Sequence, residues 1–124
     1  TRTDSRYSLE NFLRAKAHYL ARGPLLDRDA IIIWGSGMTG KRISKHLLRE
    51  GLPLVAFIDI DPNKIGRTRR GLPILSFDDF MAEWTKYKNP ACLAAVGARG
   101  ARKLIREQLT SRGLIEGQDW WGVA

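Results

Sequence analysis

The 124-residue sequence predicts an α/β domain, a three-layer sandwich with a mainly parallel sheet and a lead-in helix at its N-terminal end. Apolar, β-branched runs without alternation recur along the chain, which is typical of strands buried on both faces. Segments with helical spacing of apolar residues separate these runs. Strands that alternate with helices imply right-handed crossovers, and therefore a parallel sheet with helices on both faces.

The lead-in segment is predicted as a helix that starts at Ser8 and is ended by Gly23 and Pro24. The apolar stripe by which this helix should pack on the main domain consists of Phe12, Tyr19 and Leu20. We therefore expect a lead-in segment over residues 1–26 and one α/β domain over residues 27–124.

Five strands are predicted for the main domain. Because proline is tolerated at strand starts and edges, the third is expected at a sheet edge. The predicted strands cover residues 30–34, 53–60, 72–75, 91–96 and 118–124. The intervening helices are expected after Met38, after a cap formed by Ser76 with Asp79, and after Gly100. Cys92 lies in an apolar run and is predicted to be a buried core residue.

A glycine-rich turn follows the first strand of the main domain. Residues 35–40 read Gly-Ser-Gly-Met-Thr-Gly and open a helix, which is the context that a phosphate-binding turn of a Rossmann-like domain requires. Gly35 would make the tight turn, Gly37 would let the backbone approach a diphosphate, and Gly40 would allow close helix packing. The candidate ligand-binding residues of this turn are Gly35, Ser36, Gly37, Met38, Thr39 and Gly40. A tight turn retained without a ligand is the alternative.

Two carboxylates follow the second strand. Asp59 stands where Rossmann-like domains place the acid that holds ribose hydroxyls, so it is the preferred candidate, whereas Asp61 is expected to cap the following turn. The same two residues spell the Asp-x-Asp pattern with which many glycosyltransferases bind a metal and a sugar diphosphate. The glycine turn before them favours the ribose interpretation, and no metal site is predicted.

A second loop at the carboxyl edge of the sheet is expected to bring Arg99 toward the same crevice, where arginines could clamp a phosphate. Arg102 could point to the crevice as well, and a solvated position on the helix face is the equal alternative for it. No Ser/His/Asp or Cys/His grouping is indicated, so no catalytic residue is predicted. Trp120 and Trp121 are adjacent, and a strand would turn one to each face, which favours packing over ligand stacking.

The formal net charge of +8 favours anionic partners. Basic residues are spread along the chain, with one cluster at Arg67, Arg69 and Arg70, and no nucleic-acid motif accompanies them. A nucleotide-type small molecule is therefore the expected partner, and nucleic acid is not. No run is apolar enough for a membrane span or a secretory signal, so a cytoplasmic location is expected. The polar start without Met suggests a fragment of a longer chain.

Several stretches carry a family resemblance. The motifs IIIWGSGMTG (31–40), FIDIDPNKIG (57–66) and GLPI (71–74) resemble the Rossmann-like domain at the N-terminus of bacterial sugar acyltransferases and of nucleotide-sugar dehydratases. With the polar start, AVGARGAR (95–102) and WWGVA (120–124), the whole chain is similar to the C-terminal domain of bacterial family 2 glycosyltransferases.

The resemblance implies an upstream glycosyltransferase domain in the same chain. It also assigns Gly35, Ser36, Gly37 and Asp59 to ligand binding. The leading hypothesis is a noncatalytic accessory domain that binds a nucleotide-sugar or a dinucleotide such as NAD(P). A structural or dimerisation module that has kept the fold without a ligand, and an NAD-dependent oxidoreductase, are the two alternatives.

Overall fold

A computed structural model gives the architecture of residues 2–98 and 100–123, with side chains described from Tyr7 onward. It contains four α-helices and six strands in this part of the chain. The helices are α1 (Arg2–Arg22), α2 (Met38–Arg49), α3 (Phe77–Trp84) and α4 (Ala101–Ser111). The strands are β1 (Ala30–Trp34), β2 (Leu54–Ile58), β3 (Thr68–Arg69), β4 (Leu72–Leu75), β5 (Pro90–Ala94) and β6 (Trp120–Gly122).

The strands form one sheet in the order β3-β4-β2-β1-β5-β6, and only β3 is antiparallel to its neighbour. The chain moves outward from β1 through β2 to β4 and then crosses to β5 on the other side of β1. This order confirms the predicted Rossmann-like α/β fold. It also places a topological switch point at the carboxyl ends of β1 and β5, which is where open α/β sheets bind ligands.

The core consists of two apolar clusters, one on each face of the sheet. Ile31 and Ile33 of β1 pack with α1 and α2, whereas Ile32 and Trp34 pack with α3 and α4. Because every β1 residue is buried, the strand is apolar throughout rather than alternating. Cys92 of β5 is fully buried, which confirms the prediction for this residue.

Helix α1 differs from the prediction in its start and in its buried face. It begins at Arg2 rather than Ser8, because no glycine or proline interrupts the polar run before Ser8. The packed face is formed by Leu13, Ala17 and Leu20, which are spaced to share one side of the helix. Phe12 and Tyr19 are 56% and 62% exposed, so the predicted stripe is wrong for these two residues. Small Ala17 allows α1 to lie close to α2.

The third predicted strand is not at the sheet edge. The short strand β3 pairs with β4 on its outer side, and sequence analysis missed it because Thr68–Arg69 lies in a polar, turn-rich segment. Two other local predictions are confirmed: Ser76 caps α3 by accepting the Asp79 N–H, and Asp61 accepts the Asn63 N–H in the turn after β2. No helix of the described segments combines the length and apolarity that a membrane span needs.

The two C-terminal tryptophans lie on opposite faces of the sheet, and both pack against a core cluster. Trp120 is buried in the cluster with α3 and α4, and Trp121 packs against the opposite cluster. The guanidinium of Arg28 lies 5.2 Å from the Trp121 ring centroid. Arg28 also donates to the carbonyl oxygens of Pro90 and Gln118 at 2.9 and 2.8 Å. These bonds join the chain before β1 to the amino ends of β5 and β6.

Candidate nucleotide site

The glycine turn connects β1 to α2 at the switch point. Gly35 has φ +117°, and a Cβ there would lie 2.9 Å from the Ala95 carbonyl oxygen. A Cβ on Gly40 would lie only 1.8 Å from the carbonyl oxygen of Gly35. Side chains at these two positions would therefore collide with backbone. The turn itself therefore requires glycine at positions 35 and 40. The close approach that Gly40 allows is between the start of α2 and the backbone of the turn.

Gly37 is different from the other two glycines of the turn. Its φ is −78°, which any residue adopts, and a Cβ there would meet no atom within 4 Å. Packing within the domain therefore gives no reason for glycine at this position. Gly37 lines the cavity above the turn, and its Cβ position has open space around it.

The cavity has a volume of about 290 Å³ and lies between the glycine turn, the end of β2, the loop after β5 and helix α4. The glycine turn and the loop after β5 form part of its wall, and much of the remaining wall is apolar. Met38, Ile60 and Leu104 are all exposed large hydrophobic residues, and all three line it. The complete lining is Trp34, Gly35, Gly37, Met38, Thr39, Asp59, Ile60, Lys64, Ala95, Val96, Gly97, Ala101, Leu104 and Ile105.

Two helix N-termini face this region. Helix α2 begins at Met38 with Gly37 as its N-cap, and α4 begins at Ala101 with Gly100 as its N-cap. Neither cap provides a side-chain hydrogen bond, and neither first turn contains an acidic residue. The first N–H groups of a helix have no partner inside the helix, and the macrodipole makes that end partly positive. This combination can bind the oxygens of a phosphate.

Asp59 lines the cavity directly after β2, beside the glycine turn. Its carboxylate accepts the backbone N–H of Ser36 at 3.2 Å, the Ser36 hydroxyl, and the N–H of Asp61 at 3.0 Å. Burial raises the pKa of Asp59, but these hydrogen bonds together with the charge of Lys64 hold it below its ordinary value. Asp59 is thus ionised near neutral pH. A carboxylate has about four acceptor positions, so one stays available to a hydroxyl group of a ligand.

The β3–β4 hairpin adds positive charge beside the turn. Arg69 donates from Nε to the carbonyl oxygen of Ser36 at 3.0 Å. Arg70 reaches α2, where its Nη2 donates to the Lys41 carbonyl oxygen at 2.8 Å. The hairpin is therefore fastened across the glycine turn and the first turn of α2.

The structure brings most of the predicted ligand-binding residues together. Gly35, Gly37, Met38, Thr39 and Asp59 all line the cavity. Ser36 and Gly40 are buried outside the lining, so Ser36 reaches the site only through Asp59. Arg99 lies outside the described residues.

Arg102, for which the sequence left two positions open, is exposed on α4 and lines a different cavity from the one at the glycine turn. Several other residues near the site were not predicted from the sequence. Lys64, Ile60 and Arg69 were not predicted, although Lys64 and Ile60 stand close to Asp59 in the chain. The neighbourhood of Arg69 depends on the pairing of β3, for which the sequence has no strong signal.

A glycine turn at the switch point, with an acidic residue after the next strand, defines the class of Rossmann-like nucleotide-binding domains. Within that class the chain belongs to the family described as CoA binding domain, whose sequence pattern matches residues 27–113. No curated protein matches this chain by sequence comparison.

Solved structures share the fold. The protein RSP in complex with NADH is 20% identical, with a TM-score of 0.62 over 100% of this chain and 62% of that chain. UDP-D-quinovosamine 4-dehydrogenase from Vibrio fischeri is 24% identical, with a TM-score of 0.59 over 70% of this chain and 74% of that chain. Methyltransferase FkbM from Methylobacillus flagellatus KT is 18% identical, with a TM-score of 0.59 over 90% of this chain and 32% of that chain.

At these identities the likeness extends to the fold alone. RSP is described as a Rex-family repressor, and another of its structures contains NAD+ and operator DNA. The present chain spans 43% and 62% of the first two RSP chains that it matches.

Proposed function

We propose that the cavity at the glycine turn binds the diphosphate-bearing part of a nucleotide. The observation that carries this proposal is the glycine at position 37, which lines the cavity, has open space at its Cβ position and is not required by the packing of the domain. A backbone without a side chain allows a diphosphate to approach the N–H groups at the start of α2.

The remaining groups of the site suit the other parts of such a ligand. Asp59 is ionised and has one acceptor position left for a ribose hydroxyl. The exposed apolar side chains of Met38, Ile60 and Leu104 offer surface to a base or to another flat or apolar group. A volume of about 290 Å³ fits part of a coenzyme rather than all of it.

The class of nucleotide is proposed from the comparisons. The family is described as CoA binding, and RSP has been solved with NAD+ and NADH. CoA and NAD share an adenosine diphosphate portion, so adenosine diphosphate is the minimal ligand to test. A nucleotide-sugar is the other candidate, and it rests on the resemblance to sugar acyltransferase and glycosyltransferase domains.

The domain is proposed to be noncatalytic, and to serve an upstream glycosyltransferase domain as an accessory unit. The accessory role rests on the sequence resemblance alone. Among the described lining residues, Asp59 and Lys64 are the titratable groups. His46 and His18 instead contact Glu10 and Glu50 at the α1–α2 interface.

A thermal-shift screen tests the proposal. The ligands are ADP, NAD, NADP, CoA, a UDP-sugar and a GDP-sugar at low salt, because a ligand that binds only the folded state raises the melting temperature. Gly37→Val should fold normally and lose the shift, since its side chain enters the cavity. Ala82→Val, which adds similar bulk to an exposed position on α3, is the matched control and should retain it.

The pattern of responses identifies the ligand. A shift with ADP, CoA and NAD alike would indicate recognition of the adenosine diphosphate portion, whereas a response to one sugar nucleotide only would support the glycosyltransferase assignment. No shift with any compound, or an equal shift in Gly37→Val, would contradict the proposal and favour a structural or dimerisation module.

A further inference from the structure

A second cavity lies on the other side of α4 from the nucleotide site. It has a volume of about 150 Å³ and stands at the carboxyl ends of β5 and β6, where Ala94 and Gly122 form its floor. Arg102 and Arg106 of α4 line it, whereas Ala101, Leu104 and Ile105 of the same helix line the nucleotide site. Since a water molecule takes about 30 Å³ in the liquid, the second cavity has room for several waters or one small polyatomic ion.

Arg102 has no salt-bridge or hydrogen-bond partner for its guanidinium within residues 7–98 and 100–123. Its Nη2 lies beside Gly122, at 3.5 Å from where a Cβ of that residue would be. Arg106, one turn further along α4, is paired with Glu116, with 3.1 Å between Nε and Oε1. The two arginines against one glutamate leave an excess of positive charge at the cavity.

Trp120 forms another wall and is 3% exposed. Its indole N–H is buried and has no hydrogen-bond partner in the described part of the chain. The Arg106 guanidinium lies 5.9 Å from the ring centroid. A buried donor without a partner is costly, and such donors are rare in folded proteins. Within the described lining, the exposed Arg102 therefore provides the unpaired guanidinium, and the Trp120 N–H lies covered in the wall beside it.

We propose that this second cavity is a binding site for a small oxyanion, a phosphate or a carboxylate. The planar guanidinium of Arg102 can donate two parallel hydrogen bonds to such a group, and the Trp120 ring lines the cavity beside it. Arg106 contributes charge while Glu116 holds it in place. The site is separate from the nucleotide cavity, and its occupancy does not depend on the proposed nucleotide function.

Indole N–H signals in a ¹H–¹⁵N spectrum provide the test, because the chain has four tryptophans and two of them, Trp34 and Trp120, line one cavity each. Trp120→Phe assigns the signal of interest. Inorganic phosphate and acetate are titrated separately, with sodium chloride adjusted to keep ionic strength constant. We expect a saturable shift of the Trp120 signal, and Trp34 reports independently on phosphate at the nucleotide site.

Variants decide whether Arg102 carries the binding. Arg102→Gln should weaken the Trp120 response at least ten-fold, and Arg102→Lys should weaken it less, since the charge remains while the paired donors are lost. Lys103→Gln removes an exposed neighbouring charge outside the cavity and should leave the response unchanged. Gly37→Val should also leave it unchanged, which separates this site from the nucleotide site.

The anion that shifts the Trp120 signal identifies the chemistry of the ligand. Saturation by phosphate alone, by acetate alone or by both anions supports the proposal and defines the chemistry accepted. A Trp120 signal that moves with neither anion, moves without saturating, or moves equally in Arg102→Gln would overturn it.

Discussion

The hydroxyl of Ser36 donates a hydrogen bond to the Asp59 carboxylate, joining the glycine turn after β1 to the end of β2. The backbone N–H of Ser36 donates to the same carboxylate oxygen at 3.2 Å. The residue inside the glycine turn therefore orients the acidic residue that faces the cavity. A ligand that touched both would meet a preassembled unit rather than two independent loops.

Ser36→Ala should remove one donor from Asp59 without adding bulk. Because a part-buried hydrogen bond to a charged group is lost, we expect the free energy of unfolding to fall by about 1.5 kcal/mol, the low end of the range for such bonds. The pKa of Asp59 should rise toward its ordinary value. Urea unfolding and a carboxyl-detected NMR titration measure the two effects. Ser111→Ala, which removes a hydroxyl bonded to an exposed backbone carbonyl, is the control. Equal effects of the two variants would contradict the role of Ser36.

Stability should depend on pH through Asp59. Its pKa in the folded chain is below the ordinary value of 3.8, so its stabilising contribution is complete above that value and is lost as the pH falls through the folded pKa. In Asp59→Asn this contribution is absent, and we expect the difference in unfolding free energy from the unchanged protein to shrink as the pH is lowered below about 4. Unfolding curves between neutral and acidic pH check this. A difference that grows on acidification would be inconsistent with a lowered pKa.

The glycines of the turn should respond very differently to alanine. Gly40→Ala places a Cβ 1.8 Å from the Gly35 carbonyl oxygen, so the turn must distort, and we expect a loss of about 2 kcal/mol or more. Gly37→Ala meets no atom and should cost less than about 1 kcal/mol. Denaturant unfolding of both variants measures the contrast. Similar losses would mean that Gly37 also has a structural role.

The stability of the docked helix α1 should depend on the hydrogen-bonded pair formed by Glu10 and His46. His46 is 5% exposed, and its Nε2 lies 2.8 Å from Glu10 Oε2. The hydrogen bond from His46 is the largest influence on the pKa of Glu10 and lowers it. Glu10→Gln should destabilise the docked helix by about 1–2 kcal/mol and speed amide exchange in α1. Glu107→Gln, at an exposed site on α4, should change neither, and matching exchange rates in both variants would argue against the pair.

Cys92 should be unreactive in the folded protein. It lies in the middle of β5 with no exposed surface, and burial raises the pKa of its thiol, so little thiolate forms and no reagent reaches it. A thiol-specific reagent such as DTNB should modify it at the rate of opening of the domain, and immediately in denaturant. Fast modification under native conditions would show that β5 is less protected than the fold indicates.

The sheet was predictable from the sequence because its central strands are apolar throughout. Ile31 to Ile33, and the run from Ala91, have no polar face, and this pattern together with the glycine turn indicates the topology. The packed face of α1 was predicted less well. Phe12 and Tyr19 are larger than Ala17 and would bury more apolar surface, but the close contact with α2 favours the small residue.

The site was predictable where it follows the chain and not where it depends on pairing between segments. Gly37 and Asp59 are found from their positions after β1 and β2. Arg69 reaches Ser36 only because a two-residue strand pairs beside β4. The direction of Arg102 depends on the rotation of α4 about its axis, which the spacing of apolar residues does not determine finely enough to separate two adjoining cavities.

The three glycines of the turn therefore carry unequal information. Gly35 and Gly40 would be needed in any chain that makes this sharp connection, whether or not it ever meets a nucleotide, because their neighbours are backbone atoms of the turn and of the loop after β5. Gly37 alone has empty space where a side chain would be. In a survey of related sequences, glycine at the first and last positions would indicate only that the sharp connection between strand and helix is kept. Glycine at the middle position would distinguish lineages that still bind a ligand from lineages that have lost it.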